Sequence, residues 1–562
     1  MTAVWSWSGY AQAQQLPGSV DPGRLQERFQ QPLEPRSVEP PIAIEREGIE
    51  APQGAKDMRF TLVGVIVDGT TAFTTDQLSE LWSGKLGKVV TVADVYEIAS
   101  QITAKYRNAG YILSQAVVPP QRLSGGVVHI KVVEGFVNHV TIEGDNSARP
   151  ELIRAMTDKI VASRPLRNED LERYLLLIND LPGITAKGVL KPSPDQPAAA
   201  ELVVTLAQKS VDFSLGVDNR GTRFIGPYEM TAGTNFNSVL GLHEKTAFLF
   251  AGTKDINQLK YCDFSHMEVI DTEGTSLGVG VNYSLSKPGF LLKDLKLDNR
   301  AYSASLNASH PFIRSRSETL RGTASLVASE SSSAAYNGST DLFVDRLRIL
   351  RLGGAYDFTD TWAGQNLISA VVSHGFDILG ATQKGTQDPP RSREFGRSDF
   401  TKVNLDLSRE QGLLSRFSGK ELISKLSVLG AVTAQYSPTS LLSSEEFGIG
   451  GSQFVRAYDP SEVTGQSGFG AKAELRYSGI AKDDVIKWYQ LFAYFDHGEV
   501  WDDHRSVDQK NRQTASAIGG GVRFFITDYF SGSLEISKPV GRVVATQGNK
   551  DPRGFFSLAA QF

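Results

Sequence analysis

Arg456 lies in "FVRAYDP", behind the glycine pair Gly450 and Gly451 of "FGIGGSQ" and ahead of "GQSGFGAK". A guanidinium stays charged and presents a planar fork that grips a carboxylate through two parallel hydrogen bonds, which lysine cannot reproduce. Such a pair fixes position; it makes and breaks no bonds. Nearby glycines would let such a loop approach a wall closely. An acid in a comparable setting is Asp496 of "FAYFDHGEVW". As bare residues, Arg456 reads first as a surface-loop arginine and Asp496 as a solvated lumen carboxylate.

Other constellations carry less. "GQSGFGAK" has glycines and a lysine, yet lacks phosphate-loop spacing and runs into a strand rather than a helix. "DHGEVWDDH" sets His497 and His504 among four acids, a spacing that also suits solvated loop residues, so no metal site is assigned. No Gly-x-Ser-x-Gly elbow or His-Glu-x-x-His pair occurs, and no catalytic residue or cofactor is assigned. Cys262 is the only cysteine, which excludes an internal disulfide and reads as a small buried hydrophobe.

The 562 residues allow several domains, and a formal charge of -5 with 22% charged residues argues against a nucleic-acid binder. No run of about 18 apolar residues is present, which excludes a transmembrane helix but not a barrel that crosses on alternating strands.

Four parts must position the candidate residues. Residues 1–18 read as a truncated signal segment, with Ala11-Gln12-Ala13 as a small-x-small site. Residues 19–31 read as a short amphipathic helix, with Asp21 as N-cap, Pro22 in the first turn, and Leu25 and Phe29 on one face. Residues 32–54 are a proline- and charge-rich linker. Residues 55–135 and 136–209 each repeat a β-α-α-β-β order. In the first module "MRFTLVGVIVDG" reads as one strand and "TTDQLSELWSG" as a helix capped by Thr75. The helix of "TVADVYEIASQITAKYRNAGY" opens on a Thr91–Asp94 capping box and turns Val95, Ile98, Ala99, Ile102 and Tyr106 to one face.

After Lys209 the period becomes two. Val211, Phe213, Leu215 and Val217 alternate with polar or small residues, as do Leu277 to Leu285, Phe469 to Tyr477 and Phe556 to Phe562. Strands of about 10 residues with polar loops favour a membrane barrel over a soluble sandwich. At roughly 22 residues per strand and connection, residues 210–562 supply about 16 strands. On the alternation Gln490, Phe492, Tyr494, Asp496, Gly498, the opposite row is Leu491, Ala493, Phe495. With that apolar row toward lipid, Asp496 faces the lumen, because a carboxylate in hydrocarbon costs several kcal/mol.

The chain resembles the two-partner secretion outer-membrane transporters, the TpsB-type ShlB/FhaC/HecB-like haemolysin secretion/activation proteins. The resemblance is carried by "YRNAGYILSQAVVPPQ", "VVHIKVVEGFV", "LLLINDLPGI", "LLSSEEFGIGGSQFVRAYDP" and "FAYFDHGEVW" in that order. It implies a transmembrane antiparallel β-barrel preceded by two α+β POTRA domains, here 55–135 and 136–209, and by an N-terminal plug helix. It implies that a loop around 441–468 folds into the bore. The family's Val/Ile-Arg-Gly-Tyr/Phe tip is matched by Val455, Arg456, Ala457 and Tyr458, and its Phe-x-Asp-x-Gly wall by Tyr494, Asp496 and Gly498. The implied salt bridge is Arg456–Asp496. Tyr494 keeps the ring of the family's Phe. Ala457 in place of glycine means either ordinary backbone there or an altered tip, since alanine at positive φ costs about 1 kcal/mol or more.

The implied activity is recognition of an unfolded exoprotein in the periplasm by the POTRA domains and its passage through the barrel to the surface. The implied partners are that TpsA-type exoprotein, bound as extended polypeptide, and outer-membrane lipid, with no nucleic acid or nucleotide. The implied transporter is monomeric. An extended client can add to a sheet edge or lie beside the helix of "VYEIASQITAKY". The competing reading within the same superfamily is a factor that assembles other barrels into the outer membrane.

Overall fold

The computed structural model describes residues 16–29, 52–123, 125–144, 150–194, 196, 198–383, 389–413, 425–481, 485–502 and 511–562. The signal-segment reading, most of the linker and the last two residues of the 19–31 helix lie outside them. Sixteen strands form one closed antiparallel barrel, in which the first, Val211–Asp218, pairs with the last, Arg553–Gln561. Closure leaves no edge strand, the condition for strands to cross lipid. Phe213, Leu277, Leu475 and Phe495 stand exposed on the outside, while Glu474 and Asp496 are buried inside, as the period of two requires. Cys262 corrects the expectation of burial. It is partly exposed, and it pairs in register between Phe250 and Tyr283 on the outer face.

Three consecutive strands far exceed the expected length. Asp298–Arg314, Glu318–Ala335 and Thr340–Thr359 run 17, 18 and 20 residues, against 11 in Ser276–Ser286 and Gln365–Gly375 on either side. Pairing continues beyond the neighbouring strands, so local alternation underestimates the length.

Before the barrel stand two modules, each with a central parallel pair. In the first, Gly64–Asp68 pairs parallel with Val127–Val133, which also pairs with Gln115–Val117. In the second, Phe136–Gly144 pairs parallel with Ala199–Gln208, which also pairs with Ile184–Pro192. Helices Pro150–Ala162 and Asn168–Asn179 cover the second sheet through Ile153, Met156, Leu171 and Ile178.

Three local expectations need correction. The single strand of "MRFTLVGVIVDG" is broken: Arg59–Thr61 pairs with Val89–Thr91 in a separate ribbon, and fully buried Leu62 enters the core at the break. Thr74, not Thr75, caps helix Thr75–Ser79, in a capping box with Gln77. "YILSQAVVP" contributes only Gln115–Val117 as strand.

Helix Val92–Asn108 begins in the Thr91–Asp94 capping box, and Val95, Ile98, Ala99, Ile102 and Tyr106 are all buried in the first module's core. That face is consumed internally, which leaves it unavailable to a client. The second module is fastened to the barrel. Arg314 donates to both carboxylate oxygens of Asp180 at 2.8 and 3.0 Å, and the barrel turn residue Glu273 accepts from Arg173 and Tyr174, each at 3.0 Å.

At the first module's capping box the Thr91 N–H and hydroxyl each donate to Asp94 at 2.7 Å, and Lys85 lies 3.0 Å away. These bonds hold the Asp94 carboxyl down, to about 2. A depressed carboxylate stabilises the fold above its unfolded value and loses that contribution as pH falls through its folded value. The full chain is therefore expected to resist pepsin within residues 52–135 better than Asp94→Asn at pH 5. The difference should close as pH falls from about 4 through about 2.

Candidate functional site: a clasp inside the barrel

Strands Leu426–Tyr436 and Ser467–Gly479 are neighbours in the barrel, and the chain between them turns back inside. Within it Phe447–Ile449 pairs with Val463–Gly465 as a short ribbon. Gly450 and Gly451 follow at φ +111° and +101°. A Cβ on Gly450 would stand 2.2 Å from the Asp459 carbonyl oxygen, so this turn requires glycine. At the tip Val455, Arg456, Ala457 and Tyr458 are all buried. The left-handed position of this tip is Val455, at φ +57°, and Ala457 has ordinary backbone.

Arg456 reaches Asp496 three times: Nε to Oδ2 at 2.9 Å, Nη2 to Oδ1 at 2.9 Å and its backbone N–H to Oδ2 at 3.1 Å. Its Nη1 donates to Glu474 Oε2 at 2.6 Å. The guanidinium carbon stacks 3.4 Å from the centre of the Tyr494 ring. The Tyr494 hydroxyl, which a phenylalanine would lack, donates to Glu535 at 2.5 Å and lies 2.7 Å from the Ser537 hydroxyl. Gly498 leaves the wall low under the tip. A Cβ there would meet Ile449 at 3.0 Å and Val455 at 3.1 Å.

Glu474 is a further carboxylate at Arg456 that no motif marks, although "AKAELRYSG" places it on the row opposite Ala473 and Leu475. It also accepts from Arg476 at 2.8 Å and Arg523 at 2.7 Å, so it joins Arg456 to two further arginines. The loop is tied elsewhere as well. Arg220 donates to the Arg456 carbonyl at 3.1 Å, Arg553 donates to the Ala457 carbonyl at 2.9 Å and to Asp459 at 2.7 Å, and the Tyr458 hydroxyl donates to the Arg542 carbonyl at 3.0 Å.

A second element occupies the bore. Residues 18–29 form two short 3₁₀ turns and helix Leu25–Phe29. Asp21 accepts from the Gly23 N–H at 2.9 Å and from the loop hydroxyl of Ser443. Arg24 donates to the loop carbonyls of Ser443 and Glu446, and Arg28 pairs with the wall at Glu229, 2.9 Å away. Val20 and Leu25 pack with Phe224, Ile225 and Leu259. His497 points away from Asp496, on the outer row, where its Nδ1 shares a hydrogen bond with Ser516; His504 lies outside the described residues. Among the described residues no cluster of His, Cys, Asp and Glu suits a metal ion.

Comparison with known proteins matches this architecture to a family. A profile described as "Haemolysin secretion/activation protein ShlB/FhaC/HecB" matches residues 201–524, and one described as "POTRA domain, ShlB-type" matches residues 60–135. The chain belongs to the ShlB/FhaC/HecB family. It is 23% identical over 533 residues to the heme/hemopexin transporter protein HuxB of Haemophilus influenzae (strain 86-028NP), covering 93% of this chain and 92% of that protein. It is 24% identical over 448 residues to the outer membrane transporter CdiB of Escherichia coli, covering 76% and 71%. The solved structure of CdiB from Escherichia coli superimposes with a TM-score of 0.72 at 20% identity, over 92% of this chain and 93% of that one. A ShlB/FhaC/HecB protein is a two-partner secretion transporter of the outer membrane. Its POTRA domains lie in the periplasm, and it acts with a secreted exoprotein. The family consists of transporters rather than enzymes.

The two backbone positions at the loop tip give opposite expectations. Gly450→Ala should loosen the loop, since φ +111° and a carbonyl 2.2 Å from the new Cβ both oppose it. Ala457→Gly, at ordinary φ, should cost only about 1 kcal/mol. Single-channel recording in planar bilayers checks this: frequent large openings are expected for the first variant and near-native gating for the second.

Proposed function

We propose that Arg456, Asp496 and Glu474 form a position-fixing clasp that holds the infolded loop in one conformation while an unfolded exoprotein is carried through the bore. The observation that carries this reading is the convergence of one buried guanidinium on two buried carboxylates and a tyrosine ring. Desolvation offsets much of the attraction in such a cluster, so its value is geometric rather than a large net stabilisation. Removal of one partner is different, because it leaves a buried charge unpaired, at a cost of about 3–5 kcal/mol.

The N-terminal segment plugs the bore at rest, and its bonds to Ser443 and Glu446 support a plug held by the clasped loop. The client is taken up as extended polypeptide on the first module. Strand Gly64–Asp68 is an edge of its sheet, and Val63 and Ile66 stand exposed there, which favours addition of a strand. Progressive folding outside draws the client outward, since a state that only the exterior permits pulls the equilibrium. The transporter works as a monomer in contact with lipid through its apolar outer rows.

Arg456→Asp and Asp496→Arg should each reduce secretion of the host's exoprotein to about a tenth or less, the size expected for an unpaired buried charge. The double exchange should restore part of it, and only part, because Asp at position 456 would face Glu474. Measurement is by immunoblot of exoprotein in medium and periplasm. Full secretion from both single variants would sink the clasp.

A further inference from the structure

Two walls of the bore differ in charge. Strands Thr401–Gly412, Ser467–Gly479 and Arg512–Phe525 turn Asp406, Glu410, Glu474, Arg476 and Arg523 inward, linked as ion pairs or facing the central cavity of about 710 Å³. The opposite wall is neutral. Along Ser276–Ser286, 299–309 and 323–333, the inward rows hold only Ser, Thr, Asn, Gly, Ala and a single Val. Asn282, Ser303, Ser305, Asn307, Ser325 and Ser329 border the cavity.

This wall already holds polypeptide by its main chain. Asn299 Nδ2 donates to the Val20 carbonyl at 2.9 Å, and the Ser284 hydroxyl donates to the Pro22 carbonyl at 3.4 Å. Asn299 is oriented for this by Ser333, whose hydroxyl donates to its Oδ1 at 2.6 Å. Ser286, wholly buried on the same row, keeps a hydroxyl with no hydrogen-bond partner among the described residues.

We infer that the neutral wall is the track along which the exoprotein's main chain runs, and that the N-terminal segment occupies one end of it at rest. The inference rests on the reading that the client threads the bore. Hydroxyl and amide groups offer bonds to any peptide unit, whatever the side chains, so the track tolerates sequence. Neutral hydrogen bonds contribute little net free energy each, which permits sliding. The charged wall would instead retain segments of opposite sign at the buried arginines and acids. The plug and the client thus compete for the same donors.

The test uses the full chain in planar bilayers and an uncharged Ser/Gly/Asn/Thr peptide added on the periplasmic side. A length of roughly 30 residues, at about 3.3 Å per residue, spans the bore. Dwell times of current blockade are read during open intervals. Ser303→Ala/Ser305→Ala/Asn307→Ala should shorten them about tenfold, as loss of several weak bonds predicts, with open conductance unchanged. Ser408→Ala/Thr433→Ala, on the other wall, should leave them as they are. Equal dwell in the track variant and the unaltered chain, or equal shortening from both walls, would overturn the track while leaving passage intact. Absence of any blockade in the unaltered chain would overturn passage through the bore and the track with it.

Discussion

An arginine cannot discard its proton to suit a dry site, so wherever Arg456 is buried, anions must be waiting. Asp496 and Glu474 meet that demand from neighbouring strands, Lys472 and Asp496 being partners in register. The inward course of the loop is a consequence: the guanidinium, the backbone N–H beside it and the Tyr494 ring can all be satisfied together only against this wall. The N-terminal segment depends on the loop in turn, because two of Arg24's acceptors are loop carbonyls. The order of dependence runs from wall to loop to plug.

The barrel and the modules are joined by a similar economy of charge. Arg314 at a barrel-strand end and Glu273 in a barrel turn take their partners from the second module, so that module is oriented by the same sheet that forms the pore. The first module presents an edge strand, while the apolar face of its principal helix lies in the core. This division favours the proposed uptake by backbone pairing, since the helix has no apolar stripe left to offer.

Much of this was legible in the sequence because it is local. Alternation from Val211 onward marks lipid and lumen rows, and it sets Asp496 on the inward row. The Thr91–Asp94 box and the apolar face of Val92–Asn108 are likewise short-range patterns. What local patterns could not show is pairing at a distance. The inward turn of the loop and the meeting of Arg456 with Asp496 came from family resemblance, and Glu474 escaped notice because its role arises from three arginines converging across strands. Similarly, the break at Leu62 depends on a second ribbon that "MRFTLVGVIVDG" alone does not announce, and the long strands depend on pairing above their neighbours.

Val455 sits at φ +57°, a region that a β-branched side chain enters only when its surroundings leave no alternative. Its own methyl group fills the hollow over Gly498, so the wall imposes the kink that it also accommodates. Away from that hollow the backbone would relax to an extended or helical form. The fold of the tip is therefore a property of contact rather than of the loop, and a side chain added to the wall at Gly498 would be felt in the backbone of the tip.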